Sequence, residues 1–168
     1  MKEWSTRMGY SFYIGNATYD KYEEDGEVWE SWPVEGMTHP DAPTFPNDEM
    51  TGNGNSRHPS YTAWSDFGRR AGIYSLFYNH QGHLHCGHPG TMFLTREHLT
   101  EIQRALNNYK KIATKPPGFD GYPQLNDLYQ LESPDEGKYD PILARLIWLE
   151  FWVRWALENC EKPGIQNT

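Results

Sequence analysis

The first stretch whose residue types could carry chemistry is the segment 47–60, which combines glycine, asparagine and serine with one arginine. Glycine lets backbone N–H groups turn toward a ligand, and the helix predicted to follow would add the positive end of its dipole. Arg57 could clamp a phosphate or carboxylate, and Tyr61 or Trp64 could stack on a base. The candidate ligand-binding residues are Asn53, Gly54, Asn55, Ser56, Arg57, Tyr61, Trp64, Arg69 and Arg145.

This segment does not match an established phosphate loop, because it lacks the Gly-Lys-Ser/Thr ending. An ordinary polar connection, in which Asn and Ser bond their own backbone, is the alternative interpretation. Its length and its lack of any hydrophobic period favour a functional loop.

The second stretch is a histidine-rich loop at 80–88, in which four imidazoles and one thiol fall within nine residues. Imidazole nitrogens and a thiolate are ligands that zinc prefers. The metal-ligand candidates are His83, His85, Cys86 and His88. The spacing fits no standard zinc finger or ribbon, and closed sites usually draw ligands from two segments, so a solvated histidine-rich loop is the alternative.

Composition narrows the class of protein. The chain has 168 residues, enough for one domain with a real core, and 15% of them are aromatic. Its formal net charge of -8 argues against binding duplex nucleic acid. Two cysteines, Cys86 and Cys160, are too few for a disulfide framework, and the first residues lack an apolar run. We therefore expect a cytoplasmic protein without a secretory signal and without a membrane partner.

The element that must position both stretches is the segment 140–160, which predicts one long, largely buried helix. Asp140 is a suitable cap and Pro141 suits the first helical position. The charged residues Glu150 and Arg154 fall in a narrow stripe, and nearly all the rest of the circumference is apolar. Arg145 lies opposite that stripe, where it would either pair with an internal carboxylate or hold an anion.

The remaining elements are shorter. Residues 9–17 and 27–36 predict strands, and helices are predicted after the caps Ser60 and Thr95. The sequence therefore predicts an α+β fold: a small antiparallel sheet packed on a long buried C-terminal helix, with two flanking helices. The prediction is a single domain over 1–168, with a flexible lead-in at 1–7 and a flexible tail at 163–168.

Four segments together resemble a group of small proteins encoded by tailed bacteriophages. They are GYSFYIGNA, HPDAPTFPNDEMTGNGNSRHPSYTAW, KPPGFDG and LARLIWLEFWVRWALENC. The resemblance spans most of the chain and brings no catalytic residues that transfer to positions here. It implies a viral protein that works in a bacterial cytoplasm and acts on host defence. Small aromatic-rich phage proteins that sequester nucleotide second messengers are one class of this type.

Together these features predict a small-ligand-binding protein that captures an anionic, nucleotide-like molecule without a resident cofactor. One alternative is a zinc-dependent hydrolase centred on the 80–88 loop, so catalysis stays open. Another is a protein-interaction or virion component whose exposed aromatics form an interface, with a host protein or a second copy of the chain as partner.

Overall fold

The computed structural model describes residues 9–43, 53–112 and 141–168. The predicted lead-in at 1–7, and the part of the 47–60 loop from 47 to 52, lie outside the described residues. In chain order the elements are β1 (Phe12–Asn16), β2 (Asp20–Glu24), β3 (Glu27–Ser31), β4 (Ser56–Arg57), α1 (Tyr61–Ala71), α2 (Tyr74–Phe77), β5 (Gly90–Phe93), α3 (Arg96–Ile112), α4 (Pro141–Asn159) and β6 (Pro163–Asn167).

Helix α4 is covered on most of its circumference, as its apolar sequence requires. It packs against α3, α1, β1 and β6. The indoles of Trp148 and Trp152 are fully buried. Along the polar stripe, Arg154 Nε lies 3.1 Å from both carboxylate oxygens of Glu150. The prediction of a long, largely buried helix is therefore confirmed.

Four strands form one antiparallel sheet in the order β4-β1-β6-β5. On β1 the alternation of side chains places Phe12 and Ile14 in the core, as predicted for this strand. With α1 and α3 beside α4, the α+β fold predicted from the sequence is confirmed.

The predicted flexible tail at 163–168 is wrong, because this segment carries the inner strand β6. It pairs along its whole length with β1 on one side, and Gly164–Asn167 pair with β5 on the other. Pro163 and Gly164 are local signals for the end of a helix, but Gly164 also permits close approach: an added Cβ would meet Ala17 and Met92 at 3.3 Å. Ile165 is buried in the core.

The strands β2 and β3 form a separate two-stranded hairpin. Asp25 and Gly26 make the two-residue turn with φ of 53° and 79°, both in the left-handed region that such tight hairpins need.

The caps of the two flanking helices follow the predicted chemistry. Ser60 Oγ accepts a hydrogen bond from Ala63 N–H at 3.1 Å, and Gly72 ends α1 with φ of 77°. At the start of α3, His98 Nδ1 accepts the Thr95 N–H at 3.0 Å, in the position where a capping box usually has Glu or Gln. None of the helices in the described ranges is long and apolar enough to cross a membrane.

If β6 is an inner strand, Ile165→Ala leaves a cavity in the core and should lower the free energy of unfolding by about 3 kcal/mol. Thr168→Ala, at the exposed end of the same segment, should change it by less than about 0.5 kcal/mol. Urea denaturation followed by circular dichroism measures both. Equal, small effects of the two substitutions would instead support the predicted flexible tail.

The stability should also depend on pH through His98. Burial lowers the pKa of its imidazole below the ordinary 6.5; Glu97 opposes this shift and His85 adds to it. The unfolded state then binds more protons, so this stabilising contribution is complete above pH 6.5 and is lost as pH falls through the folded-state pKa.

His98→Gln keeps a hydrogen-bond acceptor at this capping position and should flatten that part of the pH dependence. The difference between the urea midpoints at about pH 7.5 and about pH 5 measures this pH dependence. An unperturbed imidazole changes charge between these two pH values. His80→Gln, on the exposed loop, is the matched control and should keep the wild-type slope. An unchanged slope in His98→Gln would contradict the assignment.

Candidate functional site

In the described end of the 47–60 loop, the polar groups of Asn55 turn toward the protein. Asn55 is 1% exposed. Its Nδ2 donates to the carbonyls of Ile14 at 2.9 Å and Glu35 at 2.8 Å, and its Oδ1 accepts Met37 N–H at 2.7 Å. Its backbone N–H donates to Met37 O at 2.9 Å. The ligand-binding role predicted for Asn55 is therefore corrected: in this structure its side chain and its N–H join three segments of the fold.

The neighbours of Asn55 fasten the same loop to the body of the protein. The indole N–H of Trp148 on α4 donates to Gly54 O at 3.0 Å. The carbonyl of Asn53 accepts His39 N–H at 3.1 Å. Ser56 and Arg57 form β4, and the Arg57 guanidinium lies 5.7 Å from the Trp148 ring centroid. This part of the loop thus connects β1 with α4.

The other predicted ligand residues lie in different places. Trp64, predicted to stack on a base, is 1% exposed and packs against Phe12 and Phe67, so this prediction is corrected to a core position. Arg145 is half-buried near the start of α4. Tyr61 and Arg69 lie at opposite ends of α1 and line two separate cavities.

The metal-ligand candidates do not converge in the structure. His85 Nε2 donates to Ser75 O at 3.0 Å. Cys86 is buried, and burial raises the pKa of its thiol to about 11, which disfavours the thiolate that zinc requires. Within 9–43, 53–112 and 141–168, no three His, Cys, Asp or Glu side chains form a group that could hold a metal ion. His83 and His88, however, line one cavity.

That cavity, which we call the aromatic pocket, has a volume of about 340 Å³. It is lined by Tyr10, Tyr61, Gly82, His83, Leu84, Gly87 and His88. Three distant parts of the chain meet there: the residues before β1, the first residue of α1 and the histidine-rich loop. The volume is at the small end of the range for small-molecule sites.

Three rings of the aromatic pocket contact one another edge to face. The Tyr10 centroid lies 4.8 Å from that of Tyr61 and 5.3 Å from that of His88. The rings of Tyr61 and His88 are 5.6 Å apart. Behind them Tyr78 donates its hydroxyl to Tyr10 Oη at 3.3 Å, and burial strongly raises the pKa of Tyr78, which keeps it a neutral donor. The pocket wall is therefore set by packing and by hydrogen bonds.

A buried amide determines where the protons of two polar groups of this wall, His88 and Tyr61, lie. Asn167 is fully buried; its Oδ1 accepts Ser11 N–H at 3.1 Å and its Nδ2 donates to Gly87 O at 3.0 Å, which fixes the amide orientation. Nδ2 also lies 2.7 Å from His88 Nδ1, so that ring nitrogen is the acceptor. In a neutral imidazole the proton then sits on Nε2, which donates to Tyr61 Oη at 3.1 Å. The Tyr61 hydroxyl keeps its own proton for another acceptor.

A second cavity, the arginine groove, has a volume of about 360 Å³ and lies between the end of α1 and one face of α3. Its lining residues are Arg69, Arg70, Ala71, Gly72, Glu101, Arg104, Ala105, Asn108 and Tyr109. The Arg69 guanidinium lies 4.6 Å from the Tyr74 ring centroid. Arg70 is 3.7 Å from Asp66, and Arg104 pairs with Glu101. Three guanidinium groups line the groove, and two of them are already paired with carboxylates, so Arg69 is the group that favours an anion there.

Sequence reasoning missed Tyr10, which lines the aromatic pocket, and Asn167, which bonds His88 behind it. Tyr10 lies in the segment 9–17, which was predicted only as a strand, and Asn167 fell in the segment predicted to be a flexible tail. An asparagine alternating with Ile165 near the end of the chain was the one available signal for a buried position on a strand.

The structural role of Asn55 can be separated from a ligand-binding one. Asn55→Ala removes three side-chain hydrogen bonds and leaves buried backbone groups without partners, so we expect a loss of about 3 kcal/mol in the free energy of unfolding. Asn53→Ala keeps the carbonyl that bonds His39 and should change stability by less than about 0.5 kcal/mol. Chemical denaturation measures both. Full stability in Asn55→Ala would contradict the fastening role.

Comparisons of this chain with protein-family models, with curated proteins and with solved structures find no match. The resemblance to small tailed-phage proteins stays a prediction. The candidate site has two parts: an aromatic pocket with an oriented hydroxyl donor at one end of α1, and an arginine groove at the other.

Proposed function

We propose that the protein captures a small, anionic, nucleotide-like ligand and that the ring of this ligand occupies the aromatic pocket. The observation that carries the proposal is the hydrogen-bond relay from Asn167 through His88 to Tyr61, which leaves a phenolic O–H as a donor in a cavity walled by rings. A planar heterocycle offers both features that such a wall selects, a π face and acceptor atoms. Rigid donors cost little reorganisation on binding.

The anionic part of the proposal rests on the arginine groove. Arg69 belongs to this groove, and among the described residues no carboxylate pairs with it; its charge lies over the Tyr74 ring instead. Guanidinium groups match the geometry of phosphate and carboxylate oxygens. Helix α1 has 11 residues, so the two cavities are separated by roughly 16 Å along its axis. A ligand that uses both must therefore be extended, as a dinucleotide is.

Tyr74 and Tyr78 provide physical continuity between the two cavities. Their rings stack at 4.5 Å with an interplanar angle of 10°. Tyr74 lies under Arg69, and Tyr78 bonds Tyr10 in the wall of the aromatic pocket. One stacked ring pair and one hydroxyl–hydroxyl hydrogen bond thus link Arg69 of the arginine groove to Tyr10 of the aromatic pocket, which supports the use of both cavities by one molecule.

Calorimetric titration with a matched panel tests the proposal: a nucleoside, its mononucleotide, a dinucleotide and ribose phosphate. We expect the dinucleotide to bind best, the nucleoside to bind more weakly and ribose phosphate not to bind. Equal affinity for nucleoside and dinucleotide would remove the arginine groove from the site. If no compound of the panel that carries a base gave heat, the proposal that the pocket binds a ring would be contradicted.

Tyr61→Phe keeps the ring and removes the hydroxyl donor, so the affinity for the best ligand should fall about 3- to 10-fold, the range of one hydrogen bond. Tyr22→Phe, on the exposed hairpin, is the matched control and should bind like the wild type. The dissociation constants from the same titration measure the affinity of each variant. Equal binding by Tyr61→Phe and the wild type would exclude the hydroxyl as a ligand contact.

A further inference from the structure

The β2–β3 hairpin, which we call the acidic arm, stands apart from the core. All ten residues of its two strands are exposed. An isolated two-stranded hairpin gains little stability in water, and a third strand or a packed face is normally needed. Among the described residues the arm is anchored at its base, where Thr18 N–H donates to Pro33 O at 3.0 Å and Thr91 Oγ1 donates to Trp32 O at 2.7 Å.

The acidic arm and the residue just before it hold four of the seven large apolar side chains that are exposed among the described residues. These four are Tyr19, Tyr22, Val28 and Trp29. Tyr22 and Trp29 are cross-strand partners, so both project from one face, and each is about half exposed. Tyr and Trp are the side chains that most often dominate protein interfaces.

Carboxylates surround this aromatic pair. Residues 20–30 contain six carboxylates and one lysine, a local net charge of -5. Asp20, Glu24 and Glu27 share the face of Tyr22 and Trp29, because side chains alternate along each strand. Glu24 and Glu27 are directly opposite each other, an arrangement of like charges that destabilises a hairpin. A partner that brings cations to this face would relieve that repulsion.

The same charges exclude two other kinds of partner for the acidic arm. A second copy that pairs arm to arm would place -5 against -5, and charged edge strands are a common protection against such pairing. Nucleic acid carries the same sign of charge as the arm. A complementary surface must therefore combine an apolar pocket for the ring pair with basic residues around it.

We propose that the acidic arm is a docking element for a partner protein with a basic surface, and that Tyr22 and Trp29 are its central contacts. This site is separate from the aromatic pocket, since none of its residues lines that cavity. The protein would thus bind a macromolecule with the arm independently of any small ligand.

A displayed library of random 12-residue peptides is the probe, selected on the wild-type protein and counter-selected on Trp29→Ala. We expect the enriched peptides to carry net positive charge and at least one large apolar residue. Their dissociation constants, from fluorescence anisotropy, should rise at least about tenfold with Trp29→Ala, while Met37→Ala, an exposed apolar residue elsewhere, should leave them unchanged.

The double variant Glu24→Lys and Glu27→Lys keeps the ring pair and the Asp25-Gly26 turn, so it separates charge from folding. It should weaken the binding of the basic peptides about tenfold or more, while its circular dichroism spectrum stays unchanged. Neutral or acidic peptides among those enriched, no enrichment, or equal binding by the variants would overturn the proposal. So would concentration-dependent dimerisation in sedimentation velocity that Trp29→Ala abolishes, because the arm would then be a self-association surface.

Discussion

The constraint on which this structure depends is that α4 is apolar on almost every side. A helix with one polar stripe must be covered by several elements at once, and here α3, α1, β1 and β6 share that task. Each buried Leu, Ile or Val side chain contributes about 1.5–3 kcal/mol relative to an exposed one. The sheet and the flanking helices are therefore organised around a single 19-residue element.

Two buried asparagines fix the relative positions of chain segments that hydrophobic packing alone would leave unspecified. Among the described residues the buried polar side chains are Ser11, Asn55 and Asn167. Asn55 bonds the carbonyls of Ile14 and Glu35 and the Met37 N–H, whereas Asn167 bonds Ser11, Gly87 and His88. A buried amide is tolerated only when its donors and acceptors are matched, so each one selects a single arrangement of the segments around it.

The two surfaces singled out as binding sites differ in how they are supported. The aromatic pocket is walled by rings that contact each other and by hydroxyls with assigned partners, so its geometry exists before any ligand arrives. The acidic arm has no such support along its strands, and its order depends on its turn and its base. Preorganisation favours small-molecule affinity, whereas exposed rings on a slender element favour a macromolecular surface that encloses them.

The sequence by itself determined the elements with strong local signals. The all-round apolar pattern of 140–160 required burial, Ser60 and Gly72 set the ends of α1, and alternation placed Phe12 and Ile14 inward. The fold class follows from these, because each signal lies within a few consecutive residues.

Only the tertiary structure decided the role of each polar side chain. Asn55 faces inward, Asn167 belongs to an inner strand, and Tyr10, Tyr61 and His88 share one cavity. Their partners lie far away along the chain; Ser11 and Asn167 are 156 residues apart. A local pattern shows whether a residue is polar or apolar, but the partner that satisfies a buried donor is set by which distant segments the packing brings together.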